Sequence, residues 1–214
     1  MCSRYEAPTP ERLHEEFGVA FDPQEKLDLR PNYIGPFLRK PLDADHDDEA
    51  VPAIEALVGV FGLLPHWAKD RKLARSTYNS RSETAAIKPS FRGAWKEAKH
   101  CIIPAVAIYE PDWRPGKPVP TRIWRTDGKL LGIAGLWEKW HAPTGEVLHS
   151  YSMLTINADD HALMSKYHRS EKEKRMVVIL PQGLYSDWLS ASPSDSQEFM
   201  RQYPADRLEA RGEP

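Results

Sequence analysis

The sequence predicts an α+β fold, a single domain built on a curled, barrel-like mixed β-sheet flanked by short helices. Three observations point there. Apolar strand-like runs outnumber helical patterns, the helices are short and scattered among them, and neither a regular βαβ alternation nor an internal repeat is present. At 214 residues the chain is long enough for one sizeable core and short for two.

Taken in order, the first helix starts at Pro10, with Thr9 as its cap and Gly18 just past its end. Residues 22–53 are rich in Pro, Asp and Arg and read as a long irregular segment. Within it, Asp43 to Glu49 places five acids in seven positions, the pattern of a solvated loop. A strand is expected from Ala56 to Leu64, ended by Pro65, and a helical turn around Trp67 to Asp70. Ser90 to Ala98 reads as a short helix capped by Ser90. Cys101 to Tyr109 is apolar on both faces and reads as a buried strand, with Cys101 as a core residue. Arg122 to Trp140 reads as a hairpin around Asp127-Gly128, and Thr144-Gly145 as a turn into a strand from Val147 to Ile156. Asn157 is expected to cap a helix from Ala158 to Tyr167, which leaves His161 on an exposed helix position. Met176 to Leu180 is expected as the last buried strand. The domain is assigned to residues 1–200, with 201–214 as a polar, flexible tail.

Composition narrows the function classes. Hydrophobic residues at 41% and charged residues at 28% are ordinary for a globular protein, and a net charge of -2 excludes a polybasic binder without excluding a local basic groove. No apolar run approaches membrane-spanning length and the N-terminus lacks a secretory pattern, so a cytoplasmic protein is expected. The two cysteines, Cys2 and Cys101, read as free thiols rather than a disulfide framework. Neither a metal-site spacing nor a phosphate-binding glycine loop occurs, so no cofactor or metal is expected.

Position 2 carries the most chemistry. Removal of Met1 before a small residue would make Cys2 the mature N-terminus, with an α-amine of pKa ~8 beside a thiol of pKa ~8.5. The amine condenses with an aldehyde to a Schiff base, and the thiol then closes on the imine carbon to give a thiazolidine. Ring closure is intramolecular and so strongly favoured. By position alone, Cys2 is equally well read as incidental.

Further segments shift that balance. Cys2-Ser3-Arg4-Tyr5, Phe61-Gly62-Leu63-Leu64-Pro65-His66-Trp67-Ala68-Lys69 and Asn79-Ser80-Arg81-Ser82-Glu83-Thr84 resemble, in order, blocks of the SOS-response-associated peptidase (SRAP) family. So do Lys88 to Arg92, Cys101 to Ala105 with Tyr109-Glu110, Ala134-Gly135-Leu136-Trp137-Glu138, and Ala162 to His168 with Arg175 to Leu180. The resemblance covers roughly residues 2–190 and rests on the ordered set of blocks, each weak alone.

The resemblance implies binding of single-stranded DNA and covalent capture of abasic sites through a thiazolidine on Cys2, with possible lyase activity. It implies that Glu110 shuttles protons, that His168 assists opening of the sugar, and that Asn79 orients the sugar or the amine. A carboxylate at the end of an apolar strand and an imidazole are side chains suited to such proton transfers. It also implies phosphate contacts from Arg4 and Arg81, base stacking on Trp67 and a wedge role for Pro36. The partner implied is abasic single-stranded DNA; a monomer is expected, and no particular replication or repair partner is indicated. Outside the family context Glu110 reads as a solvated strand end, His168 as a helix-end residue, Asn79 as a turn residue and Trp67 as a core aromatic. Trp95, Trp124, Trp137, Trp140 and Trp188 read as packing residues.

The chain departs from the family pattern at Ser3 (usually Gly), Phe61 (usually Trp), the order Asn32-Tyr33-Ile34, the added loop Arg169 to Lys174, and Val177 (usually Pro). Two other classes stay open: a thiol peptidase that uses the same nucleophile, including on its own Met1-Cys2 bond, and a non-catalytic single-strand-binding adaptor.

Overall fold

The computed structural model describes residues 2–22, 24–42, 53–169 and 171–213. Its strands outnumber its helices, as the patterning predicts. β1 (Tyr5–Glu6) leads to α1 (Pro10–Phe17), where the Thr9 hydroxyl accepts from the Arg12 amide and Gly18, at φ 68°, closes the helix onto the His14 carbonyl. β2 (Asp28–Leu29), β3 (Ile34–Arg39) and β4 (Glu55–Phe61) follow. After a 3-10 turn at Arg71–Leu73 come α2 (Ala74–Thr77), β5 (Asn79–Arg81), α3 (Ser82–Ala85) and α4 (Arg92–Lys96). The rest is mostly sheet: β6 (His100–Ala105), β7 (Ala107–Asp112), β8 (Val119–Arg125), β9 (Leu131–His141), β10 (Val147–Asn157), β11 (Arg175–Val177), β12 (Ile179–Leu180), α5 (Tyr185–Ser190) and β13 (Leu208–Gly212).

Two sheets form. In the larger one, β10, β4, β3, β6 and β9 pair in sequence and β9 pairs back with β10, closing a five-stranded barrel with one parallel junction, β10 to β4. The eleven-residue strand β10 is its hub, because its second half continues past β4 to pair with β5 and β11. The other sheet runs β13-β8-β7-β1-β2. Burying both faces of β6 and most of β9 gives the shared core, which includes Tyr5, Phe37, Phe61, Trp137 and Tyr151. Tyr5 and Tyr151 satisfy each other there, hydroxyl to hydroxyl at 2.6 Å. Gly62, at φ 127°, turns the chain out of β4 against the Ala74 backbone, where a side chain would have no room. Among the described residues no helix is long and apolar enough to cross a membrane.

Several sequence expectations give way. The irregular segment 22–53 contains β2 and β3; its acidic run lies outside the described residues. Pro36 is tolerated within β3 because pairing with β6 is confined to Leu38, so Pro36 is flanked only by β4. The run Cys101 to Tyr109 is two strands: the chain leaves the barrel at Val106, whose amide donates to Glu6, and joins the second sheet. Asp127-Gly128 does turn the chain, but β8 and β9 lie in different sheets and make no hairpin; the hairpin is β9–β10. An apolar pattern records burial, not which neighbour supplies it.

Trp67 sits in a simple turn, and the helical turn comes later, with Asp70 as its cap. The helix at 90–98 is shorter, Arg92–Lys96, without a Ser90 cap. Asn157 caps an Asx turn onto the Asp159 amide rather than a helix, and only Met164–Lys166 coils, as 3-10. His161 is buried, not exposed: Nδ1 accepts from the amides of Leu163 and Met164, so Nε2 carries the proton and donates to the Tyr203 carbonyl at 2.7 Å. The run Met176 to Leu180 breaks at Val178, whose amide bonds Leu154. The final strand is β13, which pairs with β8 and orders part of the segment read as a tail.

Candidate active site

The N-terminal segment is drawn into the protein by β1, which pairs antiparallel to β7 with Tyr5 opposite Ile108. The same ladder continues upstream, since the Tyr109 amide donates to the Arg4 carbonyl at 3.0 Å. This lays Cys2 and Ser3 beside the end of β7, where Glu110 sits. From the other side β5 runs parallel to β10 with Asn79 opposite Met153. The Asn79 amide nitrogen donates to the Cys2 carbonyl at 2.7 Å, while its own carbonyl oxygen is buried without a partner among the described residues.

Glu110 is 1% exposed, and its Oε2 lies 2.7 Å from Nε2 of His168. A carboxylate taken out of water needs such a partner. His168 arrives from the loop after the 3-10 turn at Met164–Lys166; its amide donates to the Pro111 carbonyl and its φ is 63°, a left-handed conformation uncommon for a residue other than glycine. Despite the added loop Arg169 to Lys174, the structure brings Cys2, Asn79, Glu110 and His168 together.

The N-terminal chemistry asks for an accessible residue 2, and here the structure differs. Cys2 is 0% exposed, its thiol donates to the Arg4 carbonyl at 3.3 Å, and burial together with the Glu110 charge pushes its pKa up to about 12. In this form the sulfur is a protonated thiol, not a nucleophile. Ser3 opens beside it onto a cleft of about 380 Å³, lined by Tyr78, Arg81, Trp113, His168, Lys172 and others.

The residues expected to hold DNA are dispersed. Arg81 lines the cleft, half-exposed and paired with Glu173 at 2.7 Å. Arg4 does not line it: its guanidinium bonds Asp28 at 2.8 Å and Glu213 at 2.9 Å and stacks on the Tyr109 ring, and these carboxylates push its pKa up. Trp67 is exposed, as stacking would require, but lies outside the cleft lining. Pro36 is buried in β3, so its ring does not face solvent as a wedge.

Three cleft residues escaped the sequence reading. Tyr78 lines it, its pKa raised chiefly by burial and further by the nearby Glu110 carboxylate. Trp113 lies just past β7 with the Arg169 guanidinium stacked 4.2 Å from its ring. Arg175 is 2% exposed and bonds Glu83, Glu173 and Thr155, tying the base of the loop to β10. The signal for Arg175 was present, an arginine inside an apolar strand; Tyr78 and Trp113 had none in the local pattern. Among the described residues no cluster of three or more His, Cys, Asp or Glu is arranged to hold a metal ion.

A family model, SOS response associated peptidase (SRAP), matches residues 1–212. The abasic site processing protein YoqW of Bacillus subtilis (strain 168) is 37% identical over 156 residues, a match covering 70% of this chain and 65% of that protein. The abasic site processing protein HMCES of Mus musculus is 27% identical over 198 residues, covering 78% of this chain and 52% of that protein. The chain thus spans between about half and two thirds of the length of these relatives. A crystal structure of a protein from Bordetella bronchiseptica superposes with a TM-score of 0.89 at 48% identity, covering 100% of both chains. One from Bacteroides thetaiotaomicron gives 0.80 at 21% identity over 99% of this chain and 91% of that one, a likeness of fold. The chain belongs to the SOS response associated peptidase (SRAP) family.

Proposed function

We propose that this protein processes abasic sites in single-stranded DNA by capturing the sugar aldehyde on Cys2 after Met1 is removed. The observation that carries the reading is the convergence of four groups: Asn79 on the Cys2 carbonyl at 2.7 Å, and the buried Glu110 against His168 at 2.7 Å, beside the Cys2-Ser3 segment. The names of the relatives support the substrate class.

A thiol kept protonated beside the Glu110 carboxylate favours attack by the amine first. The α-amine of Cys2 attacks the aldehyde carbon first, and the carbinolamine loses one water to give the imine. The sulfur then adds to the imine carbon while the imine nitrogen gains a proton, closing the ring. Glu110 accepts the thiol proton at this step and returns it on reversal; His168 moves the proton that opens the sugar. Asn79 fixes the Cys2 carbonyl, and with it the direction of the amine. Because Cys2 is fully buried, capture also requires residue 2 to become accessible to the sugar. Arg81 holds a phosphate, exchanging Glu173 for DNA, and Trp67, exposed outside the cleft lining, serves the flanking strand only if bound DNA extends to it. Arg4 joins only by releasing Asp28 and Glu213.

Incubation with an abasic single-stranded oligonucleotide, followed by denaturing electrophoresis, tests this. The mature chain should form a denaturant-stable adduct and Cys2→Ala none. An adduct that persists in Cys2→Ala rejects the chemistry. Peptide cleavage that depends on Cys2, without any DNA adduct, would favour the peptidase instead.

A further inference from the structure

The loop that follows His168 contains an arrangement with consequences for the site. Lys174 stands at its far end, immediately before β11, and its backbone is fixed from two directions. Its amide donates to Asp159 Oδ1 at 2.8 Å, and its carbonyl accepts from the Ala158 amide at 2.8 Å. From this anchored position the side chain reaches back across the loop. Its ammonium donates to three successive carbonyls, Tyr167 at 2.8 Å, His168 at 3.1 Å and Arg169 at 2.8 Å. An ammonium has three donors, and all three are used.

Three consecutive carbonyls converge on one point only where the chain coils tightly, and the middle residue, His168, has φ 63°. For an L residue with a full side chain that conformation is costly and persists only where the surroundings over-determine it. Glycine or asparagine would adopt it more readily, so the presence of histidine calls for an outside constraint. The His168 amide bond to the Pro111 carbonyl fixes one side of the turn; the ammonium fixes the other. Together they hold the imidazole against Glu110, whose backbone is paired in β7.

We propose that Lys174 is a positioning residue: its ammonium clasps the carbonyls of residues 167–169 and holds His168 in the left-handed turn that carries the imidazole to Glu110. The loop Arg169 to Lys174 thereby supplies its own brace. A lysine on backbone carbonyls is also a common device for ending a coil; what separates the two roles is whether His168 depends on it. This inference rests on the roles proposed above for Glu110 and His168.

The test compares the mature parent with Lys174→Met, which keeps the hydrocarbon stem and removes the donors, and with Lys174→Arg, which keeps charge and donors. The first readout needs no DNA: the ring N–H resonance of His168 in protein labelled with nitrogen-15 histidine. It should be protected in the parent, lost or broadened in Lys174→Met and recovered at least in part in Lys174→Arg. The second is the rate of adduct formation with an abasic single-stranded oligonucleotide. Lys174→Met should slow it on the order of 10- to 100-fold, the range expected when a reacting group is misplaced by about an ångström, with affinity for intact single-stranded DNA unchanged. In a His168→Ala background the same substitution should have no further effect. An unchanged His168 resonance in Lys174→Met overturns the proposal, as does an equal slowing with and without His168. If Lys174→Met does not fold, Lys174→Gln takes its place under the same criteria. A parent that forms no adduct rejects the function proposed above and leaves the resonance to decide the role of Lys174.

Discussion

Glu110 and Cys2 share one buried environment, and the carboxylate alters what the thiol can do. The carboxylate raises the cost of a thiolate beside it, which in the proposed reaction favours amine-first attack, with Glu110 taking the thiol proton as the ring closes. Glu110→Gln keeps the shape and removes the base. It should slow adduct formation by roughly 10²- to 10⁴-fold, the usual worth of a positioned acid or base, with single-strand affinity near that of the parent. Equal losses in rate and affinity would mark Glu110 as a folding residue instead. Arg81 belongs to a different class of effect, since it is half-exposed and already paired with Glu173. Arg81→Ala should weaken DNA binding and lower the slope of log affinity against log salt by about 1. A salt titration giving the parent slope would remove Arg81 from the phosphate contacts. Cys2, Asn79, Glu110 and His168 were nameable from sequence because their blocks match a family pattern. The burial of Cys2, the occupied state of Arg4 and the inward side of Pro36 were not, since all three depend on which strands pair.

At the scale of elements, the site is where two sheets meet. β1 and β7 bring Cys2 to Glu110, and β5 on the flank of β10 brings Asn79 to Cys2. Helix α1 was legible to the residue because caps are local chemistry, Thr9 at one end and Gly18 at the other. β3 was not, because Gly35 and Pro36 look like loop residues. Gly35 is there to let Leu29, Tyr5 and Tyr151 approach the strand, a reason invisible without the partners. The switch at Val106 and the separate sheets of β8 and β9 were hidden for the same reason. Elements away from the site should carry stability without touching chemistry. Trp188 on α5 is fully buried, donates to the Cys101 carbonyl at 2.9 Å and stacks on His100 with 3.9 Å between ring centroids. Trp188→Ala should cost about 3–5 kcal/mol of stability in denaturant unfolding, and the fraction still folded should form adduct at the parent rate. A loss of rate in the folded fraction would tie α5 to the site.

The whole molecule closes its barrel through one parallel junction and uses the second sheet to carry the N-terminal segment and the last strand, β13. The fold class and its barrel-like sheet were readable from the density of short strands; which strands close the barrel was not, since that rests on the β9–β10 return pairing. One global property follows from a residue outside the cleft lining. His100 is buried, its Nε2 against the Ser196 hydroxyl at 2.9 Å, and desolvation lowers its pKa from 6.5 to about 4. The unfolded chain therefore takes up this proton at a higher pH than the folded one. The contribution to stability is complete above about pH 6.5 and is lost as pH falls toward about 4. Urea unfolding across that window should show the decline, and His100→Gln should flatten it even if it lowers stability throughout. An unchanged slope in the variant would assign the acid sensitivity elsewhere.

The measurement that bears most directly on the central claim is peptide mapping of the protein after reaction with an abasic single strand. Nuclease and protease digestion should leave the sugar remnant on the peptide that begins with Cys2, with its mass lower by one water than the sum of the parts and neither its amine nor its thiol open to labelling. A remnant carried by a lysine elsewhere, or a Cys2 peptide whose thiol still alkylates, would contradict the account.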